Sequence, residues 1–524
     1  MKIRSKIMAG GIFILFLGLI GILLLGNING NPLFRKRPNI VIVLLDDGDR
    51  TLMPYLTQTN TLLIKKGASF TNYFVTAPLC CPSRASMLTG QYPHNTGILQ
   101  NTPGFYSFHR RGKEMETLAV WLSQSGYRTS LIGKYLNGYP INAGREYVPP
   151  GWTDWHAFLY QRGNSDFYYD YSMNENGEIV KYDSSPEDYS TDVIREKAIH
   201  FINESISADD PFFLLISVYA PHGPSIPASR HAGLFSDAEY PQNASFNEAD
   251  ISDKPVIFQE LASSTGNFDA GDANALYVQR VQSVQAVDEL VEEVVHLLEQ
   301  QEQIDNTYIL FTSDNGFHMG EHRLPSGKGM LYEEDIHVPF IVYGPGIPPG
   351  MIVSQLVANT DLAPTIAEIA GLDMPASVDG RSILPLLHPD TASVEWRKAI
   401  LLEMGYMEST SSTQSISFSL AAPGFELLES PDSIYDQVLL QESRDDFRAL
   451  RMENFVYAEY SNAEIEFYDL ATDPYQLTNT AANLSPKVRA ALHSWLEELT
   501  TCSGVVCRET ELILPVDLQG LSGK

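Results

Sequence analysis

The sequence predicts an α/β fold, and three observations carry that prediction. The run Asn39–Leu45 (NIVIVLL) is continuously apolar and β-branched, as a strand buried on both faces is. Comparable runs return at 129–133, Phe212–Tyr219 and Tyr308–Ser313, and each ends in polar residues. Between them Val278, Val281, Val287, Leu290, Val291, Val294, Val295 and Leu298 recur at helical spacing with acids on the opposite face. Strands alternating with helices build a sheet whose ligands bind beyond the carboxyl ends of the strands. The polar residues after these four strands are therefore expected to converge, although they are scattered over nearly 300 positions.

Taken from the start, Lys2, Arg4 and Lys6 precede the apolar run Ile7–Leu25. This reads as a signal peptide or as an uncleaved membrane anchor, and either one exports the rest. Residues 1–36 are assigned to this segment and its linker. The first strand then runs into Asp46-Asp47-Gly48, the second into Lys134, the third into His222 and the fourth into Asp314-Asn315. The acidic stretch Phe235–Asp272 is long for a connection and is either a lid or an inert surface insertion. From about Glu403 to Asp446 periodicity gives way to Ser-rich sequence. Two strand-like segments, Phe447–Tyr460 and Ile465–Leu470, and a helix over Pro486–Leu499 follow. These assign 37–400 to a large domain and 401–524 to a small one with an antiparallel sheet and a helix.

At 524 residues, 44% hydrophobic and 10% aromatic, the chain has ample material for a core. Its net charge of -30 argues against nucleic acid as a partner, because phosphate neutralisation needs an excess of Lys and Arg. Of the four cysteines, Cys502 and Cys507 enclose a short loop that an exported protein can close as a disulfide. Cys80 and Cys81 lie elsewhere, in Pro78-Leu79-Cys80-Cys81-Pro82-Ser83-Arg84-Ala85-Ser86-Met87-Leu88-Thr89-Gly90. Pro82 suits the first turn of a helix, whose exposed N–H groups favour an anion. Asp46, Asp47, Asp314 and Asn315 are hard oxygen donors suited to calcium or magnesium, not zinc.

The thirteen-residue segment resembles the signature of the formylglycine-dependent sulfatases throughout. The resemblance implies an alkaline-phosphatase-like sandwich with a large mixed, mostly parallel sheet flanked by helices. It implies that a maturation enzyme oxidises Cys80 to formylglycine, that Arg84 steadies it, and that Asp46, Asp47, Asp314, Asn315 and the modified Cys80 hold a divalent cation, usually calcium. Lys134, His222 and Lys328 match the remaining pocket residues, and His318 and His322 are weaker candidates for substrate contact. Hydrated formylglycine is expected to attack sulfur and then to release sulfate through its second hydroxyl. Many members carry a histidine two residues after the pocket lysine, whereas this chain has Leu136, so the base of that last step is open, with His318 or a metal-bound group the candidates. The segments around Cys80, Lys134, Val148-Pro149-Pro150-Gly151-Trp152 and His222 look most like the branch of N-acetylglucosamine-6-sulfatases and extracellular heparan endosulfatases. That suggests a glycan bearing 6-O-sulfated glucosamine. A phosphonate or phosphate-ester hydrolase of the same superfamily, or a non-catalytic carbohydrate-binding protein, are the alternatives.

Overall fold

Strand β1 (Asn39–Asp46) is buried along its whole length, and its side chains divide between two cores. Ile40, Ile42 and Leu44 enter one, and Val41, Val43 and Leu45 enter the other. This two-sided burial explains why the strand reads as an unbroken apolar run instead of an alternating one. The computed structural model describes residues 36–160, 167–264, 270–388, 394–405 and 446–518. The apolar run Ile7–Leu25 and the Ser-rich stretch Ser409–Ser419 lie outside them. Among the described residues no helix is long and apolar enough to cross a membrane.

The strands β2 (Arg128–Gly133), β3 (Phe212–Pro221) and β4 (Thr307–Ser313) complete the centre of a ten-stranded sheet. β1 lies between β3 and β4, parallel to both, and β2 pairs parallel with β3. Asp154–Phe158 extends the parallel block beyond β2, and antiparallel strands continue the sheet on both sides. The sheet is thus mixed with a parallel centre. Four carboxyl ends lie side by side, bringing Asp46, Lys134, His222 and Asp314 to one edge.

Helices cover both faces. α1 (Cys80–Thr89) contributes Ala85, Met87 and Leu88 to the first core. α2 (Ser190–Ser207), α3 (Ala270–Ser283) and α4 (Gln285–Gln300) fill the second, through side chains such as Ile194, Val281, Leu290 and Val294. The single helix expected across Val278–Leu298 is two helices, interrupted at Val284. Ser283 Oγ donates to the Arg280 carbonyl at 2.9 Å and Gln285 Nε2 to that of Val281 at 2.8 Å, so side chains bond back onto the carbonyls at the break.

The small sheet has four antiparallel strands, β5 (Ala399–Met404), β6 (Phe447–Met452), β7 (Phe455–Tyr460) and β8 (Ile465–Asp469). β5 straddles the boundary expected at 400/401, and the expected segment Phe447–Tyr460 is a hairpin turning at Glu453-Asn454. One face, with Leu401, Leu450 and Tyr457, packs on α5 (Pro486–Thr500) through Leu492, Trp495 and Leu496. The other, with Ile400, Leu402, Ala449 and Val456, joins the first core of the large sheet. The two sheets therefore share hydrophobic burial. Cys502 and Cys507 form a disulfide after α5.

Candidate active site

Cys80 is the first residue of α1, entered from extended backbone at Leu79, and is fully buried at the edge where the central strands end. The Cys81 N–H is taken by Asn101 Oδ1 at 2.9 Å. Pro82 stands in the first turn, where its missing N–H breaks no helical bond. Cys80 Sγ lies 3.5 Å from Asp46 Oδ1, 4.0 Å from Asp47 Oδ1 and 3.1 Å from Lys328 Nζ.

Each charge around Cys80 has a partner of opposite sign. Lys328 Nζ donates to both oxygens of Asp47 at 2.7 and 2.9 Å, and Lys134 Nζ lies 2.7 Å from Asp46 Oδ2. Arg84 Nε donates to Asp314 Oδ2 at 2.7 Å, and its Nη1 to Ser217 Oγ at 2.8 Å and the Lys134 carbonyl at 3.0 Å. His222 Nε2 lies 3.8 Å from Asp47 Oδ2. Burial alone would raise the Asp46 carboxyl, but Lys134, His222 and Arg84 outweigh it and hold it well below the usual carboxylate range. Burial pushes the Cys80 thiol well up against the pull of Lys134 and Lys328, so unmodified Cys80 stays protonated at neutral pH and is a poor nucleophile.

The oxygen groups fit a divalent cation. Asp46, Asp47, Cys80 and His222 carry potential ligand atoms all within 4.8 Å of one another. Asn315 Nδ2 donates to Asp47 Oδ1 at 2.7 Å, and Asp314 Oδ1 accepts the Asp47 N–H at 3.1 Å, which places both beside that cluster. Asn315 Oδ1 is buried with no hydrogen-bond partner among the described residues. A sealed, unpartnered carbonyl oxygen beside two or more carboxylates is the donor set that calcium or magnesium takes. Asp47 adopts a left-handed backbone (φ 65°), and Arg280 Nη2 donates to its carbonyl at 2.5 Å and to Asp49 Oδ2 at 2.7 Å, which pins the turn.

The structure thus brings Asp46, Asp47, Cys80, Arg84, Lys134, His222, Asp314, Asn315 and Lys328 together. His318 pairs its backbone with Gly327, next to Lys328, and its Nδ1 lies 2.8 Å from Asp335 Oδ1. Burial would lower its pKa, but Asp335 outweighs burial and raises it, which disfavours His318 as a neutral base. His322 is buried, 2.6 Å from Glu248, and its pKa is lowered to about 3, by burial first and by Lys254 and His318 after it. Leu136 is buried in the apolar core with Cys81 and Phe105. Sequence reasoning did not single out Ser217, Arg280 or Asp335. Ser217 lies inside an apolar strand, where a lone hydroxyl was a usable signal; Arg280 and Asp335 sit among other charges and carry none.

The stretch Phe235–Asp272 is tied down where it is described. Asn247 N donates to the Gly320 carbonyl at 2.8 Å, His322 N to that of Ser245 at 2.7 Å, and Lys254 Nζ to that of Leu477 at 2.7 Å. It joins the loop after Asn315 to the segment after β8.

Comparison with known proteins groups the chain with sulfatases. The sulfatase family profile matches residues 38–372, and a profile for the C-terminal part of N-sulphoglucosamine sulphohydrolase matches 320–429. The human N-acetylglucosamine-6-sulfatase is 36% identical over 485 residues, 90% of this chain and 86% of that protein. A Sulf-1 homolog of the extracellular sulfatases from Caenorhabditis elegans is 39% identical over 382 residues, 70% of this chain but only 53% of that protein. The solved structure of BT4656 in complex with its substrate D-glucosamine-2-N,6-O-disulfate superposes with a TM-score of 0.67 at 25% identity, covering 88% of this chain and 97% of that one.

Proposed function

The chain belongs to the sulfatase family, and from that premise we propose that it removes the 6-O-sulfate from glucosamine residues of a glycan, with Cys80 in its formylglycine form as the nucleophile. The observation that carries this reading is the convergence on one buried sulfur of two lysines, an arginine, a histidine and four oxygen ligands. The substrate class is supported by the 6-sulfatase relatives and by the glucosamine disulfate bound to BT4656.

Asp46, Asp47, Asp314 and Asn315 would hold the cation, which supplies Lewis acidity toward the sulfuryl group and the nucleophile. Formylglycine, when hydrated, supplies a hydroxyl for attack and a second one for expelling sulfate. The chain's own groups do the rest. Lys134 and Lys328 present ammonium groups to the sulfuryl oxygens from opposite aspartates, and Arg84 holds Asp314 and the start of α1 in place. His222 protonates the departing sugar oxygen. His318 lies beside Lys328 and contacts the substrate or its sulfate.

Cys80 is fully buried in the folded chain. The maturation enzyme must therefore reach it before folding is complete. The Cys502–Cys507 disulfide suits an oxidising compartment and supports an exported protein, anchored through residues 7–25 or released by their cleavage.

Protein from its native host, assayed on N-acetylglucosamine 6-sulfate beside 3-O-sulfated, N-sulfated and phosphate-diester compounds, tests the reading. Preferential release of 6-O-sulfate is expected. Turnover of phosphate diesters above sulfate monoesters would favour a phosphohydrolase, and turnover of other sulfates only would overturn the substrate.

A further inference from the structure

Three pieces of chain meet at Asp335, which is fully buried in the single turn Glu333–Ile336. Its carboxylate oxygens accept from His318 Nδ1 at 2.8 and 3.0 Å, and Oδ2 also accepts the Met330 N–H at 2.7 Å. Its backbone carbonyl accepts the Gly316 N–H at 2.8 Å. Gly316 permits that approach because a Cβ there would lie 1.9 Å from the Glu334 carbonyl oxygen. One residue therefore grips the chain just after Asn315, the imidazole of His318, and the backbone two residues after Lys328.

His318 carries the grip further. It exchanges both backbone hydrogen bonds with Gly327, at 2.9 and 3.0 Å, and Lys328 is the next residue. Lys328 Nζ then spans Asp47 and Cys80.

We propose that Asp335 is a positioning residue for Lys328, acting through His318 and the Met330 amide to hold the lysine loop against the nucleophile. The proposal rests on the reading of Cys80 and Lys328 as the reaction centre. Both Asp335 carboxylate oxygens hold the His318 imidazole in a sealed setting, with Glu321, Glu334, His322 and Asp47 the other charged or titratable groups near the pair. Such pairs seldom add net stability over apolar packing, whereas they specify one geometry. Lys328 rides on a loop whose regular structure is two isolated bridges, His318–Gly327 and Phe246–Glu321, and a four-carbon side chain on such a loop needs its backbone fixed to reach the same point at every turnover.

A double-mutant cycle with Asp335→Asn, His318→Gln and both together tests this, with kcat and KM measured on the sulfate monoester that wild type cleaves best and normalised to folded, formylglycine-bearing protein. Each single change is expected to lower kcat by about 10- to 100-fold, the range for residues that orient a site's own groups. The double variant is expected to be no worse than the poorer single one. Additive losses, or wild-type kcat per folded molecule in Asp335→Asn, would overturn the proposal. If Asp335→Asn does not fold, Asp335→Ser takes its place in the same cycle, and additive losses or wild-type kcat per folded molecule again overturn the proposal. Wild-type protein that cleaves no sulfate monoester would overturn the underlying reading, and this proposal with it.

Discussion

Arg84 Nε donates to Asp314 Oδ2 at 2.7 Å, with the two side chains only 2% and 1% exposed. The same guanidinium reaches Ser217 Oγ, the Lys134 carbonyl and, at 3.6 Å, Asp46 Oδ2. All four central strands, or the residue that follows them, are thus tied to α1 by one planar group. A lysine ammonium keeps the charge but cannot present donors along these directions at once. Arg84→Lys is expected to lower kcat/KM by about 100-fold or more, on the scale of losing a fixed electrostatic group. Arg84→Met leaves buried carboxylates without their partner and is expected to cost about 3–5 kcal/mol of stability. Kinetics and denaturant titration of both variants separate the two effects.

The neighbouring cysteines are expected to respond in opposite ways. Cys80→Ala removes the atom to be oxidised and should abolish turnover, by at least about a thousandfold, while leaving the thermal midpoint near that of wild type. Cys81→Ser places a hydroxyl in an apolar core and should cost about 1–3 kcal/mol with kcat per folded molecule retained. Peptide mass analysis with sulfatase assays reads both. Equal losses from the two changes would contradict the assignment of Cys80.

Chelation tests the oxygen cluster. Removing divalent cations should abolish activity and lower the unfolding free energy, by about 2.7 kcal/mol where the ion had been present at a hundred times its dissociation constant. Calcium or magnesium should restore both. Zinc, which favours nitrogen and sulfur donors, should not. Activity that survives exhaustive chelation would remove the cation from the mechanism.

The centre of this molecule was legible because its signals are local. Strands β1, β3 and β4 are largely apolar runs ending in chemistry, and the Cys80 segment carries its own pattern. What escaped depends on distant partners. The strand Ala68–Phe70 and the edge strand Met351–Val353 beside it are three residues long and hold too little pattern to be read. The break at Val284 comes without Gly or Pro, from side chains bonding to backbone. β5 finds its partner only beyond the Ser-rich stretch, so nothing near Ala399 announces the small sheet. Asp335 looks like one more acid in Glu333-Glu334-Asp335, and only the fold brings it to His318.

His94, just beyond α1, links the large sheet's core to the small one. Its Nδ1 lies 2.6 Å from Glu403 Oε2 on β5, and its Nε2 2.9 Å from the Cys502 carbonyl. Burial would lower its pKa, but Glu403 and the Cys502 carbonyl outweigh that and raise it. A folded-state value above the unfolded one means that this contribution to stability is complete below about pH 6.5, the unperturbed histidine value, and fades as pH rises through the raised value. The thermal midpoint of His94→Asn is therefore expected to trail wild type most at acidic pH and to approach it in alkaline buffer. A gap that widens with pH would reverse the assignment.

Leu136 occupies the position where the resemblance leads one to expect a histidine, yet it is 3% exposed in a cluster with Cys81, Phe105 and Tyr139. The chain reverses shortly after Lys134, with Tyr139 N donating to the Leu136 carbonyl at 3.0 Å, and the site takes Lys134 while the core takes Leu136. An imidazole introduced there enters an apolar setting without a partner and should cost about 1–3 kcal/mol. Leu136→His is therefore expected to lower the thermal midpoint and to leave kcat no higher than wild type at any pH from 5 to 8, a span about that in which histidine titrates. A rise in kcat with a new ionisation in that span would mean that the side chain reaches the sulfate after all. In that case sulfate release limits turnover for want of a base. An unchanged or lower kcat means that this chain expels sulfate without a histidine from that position.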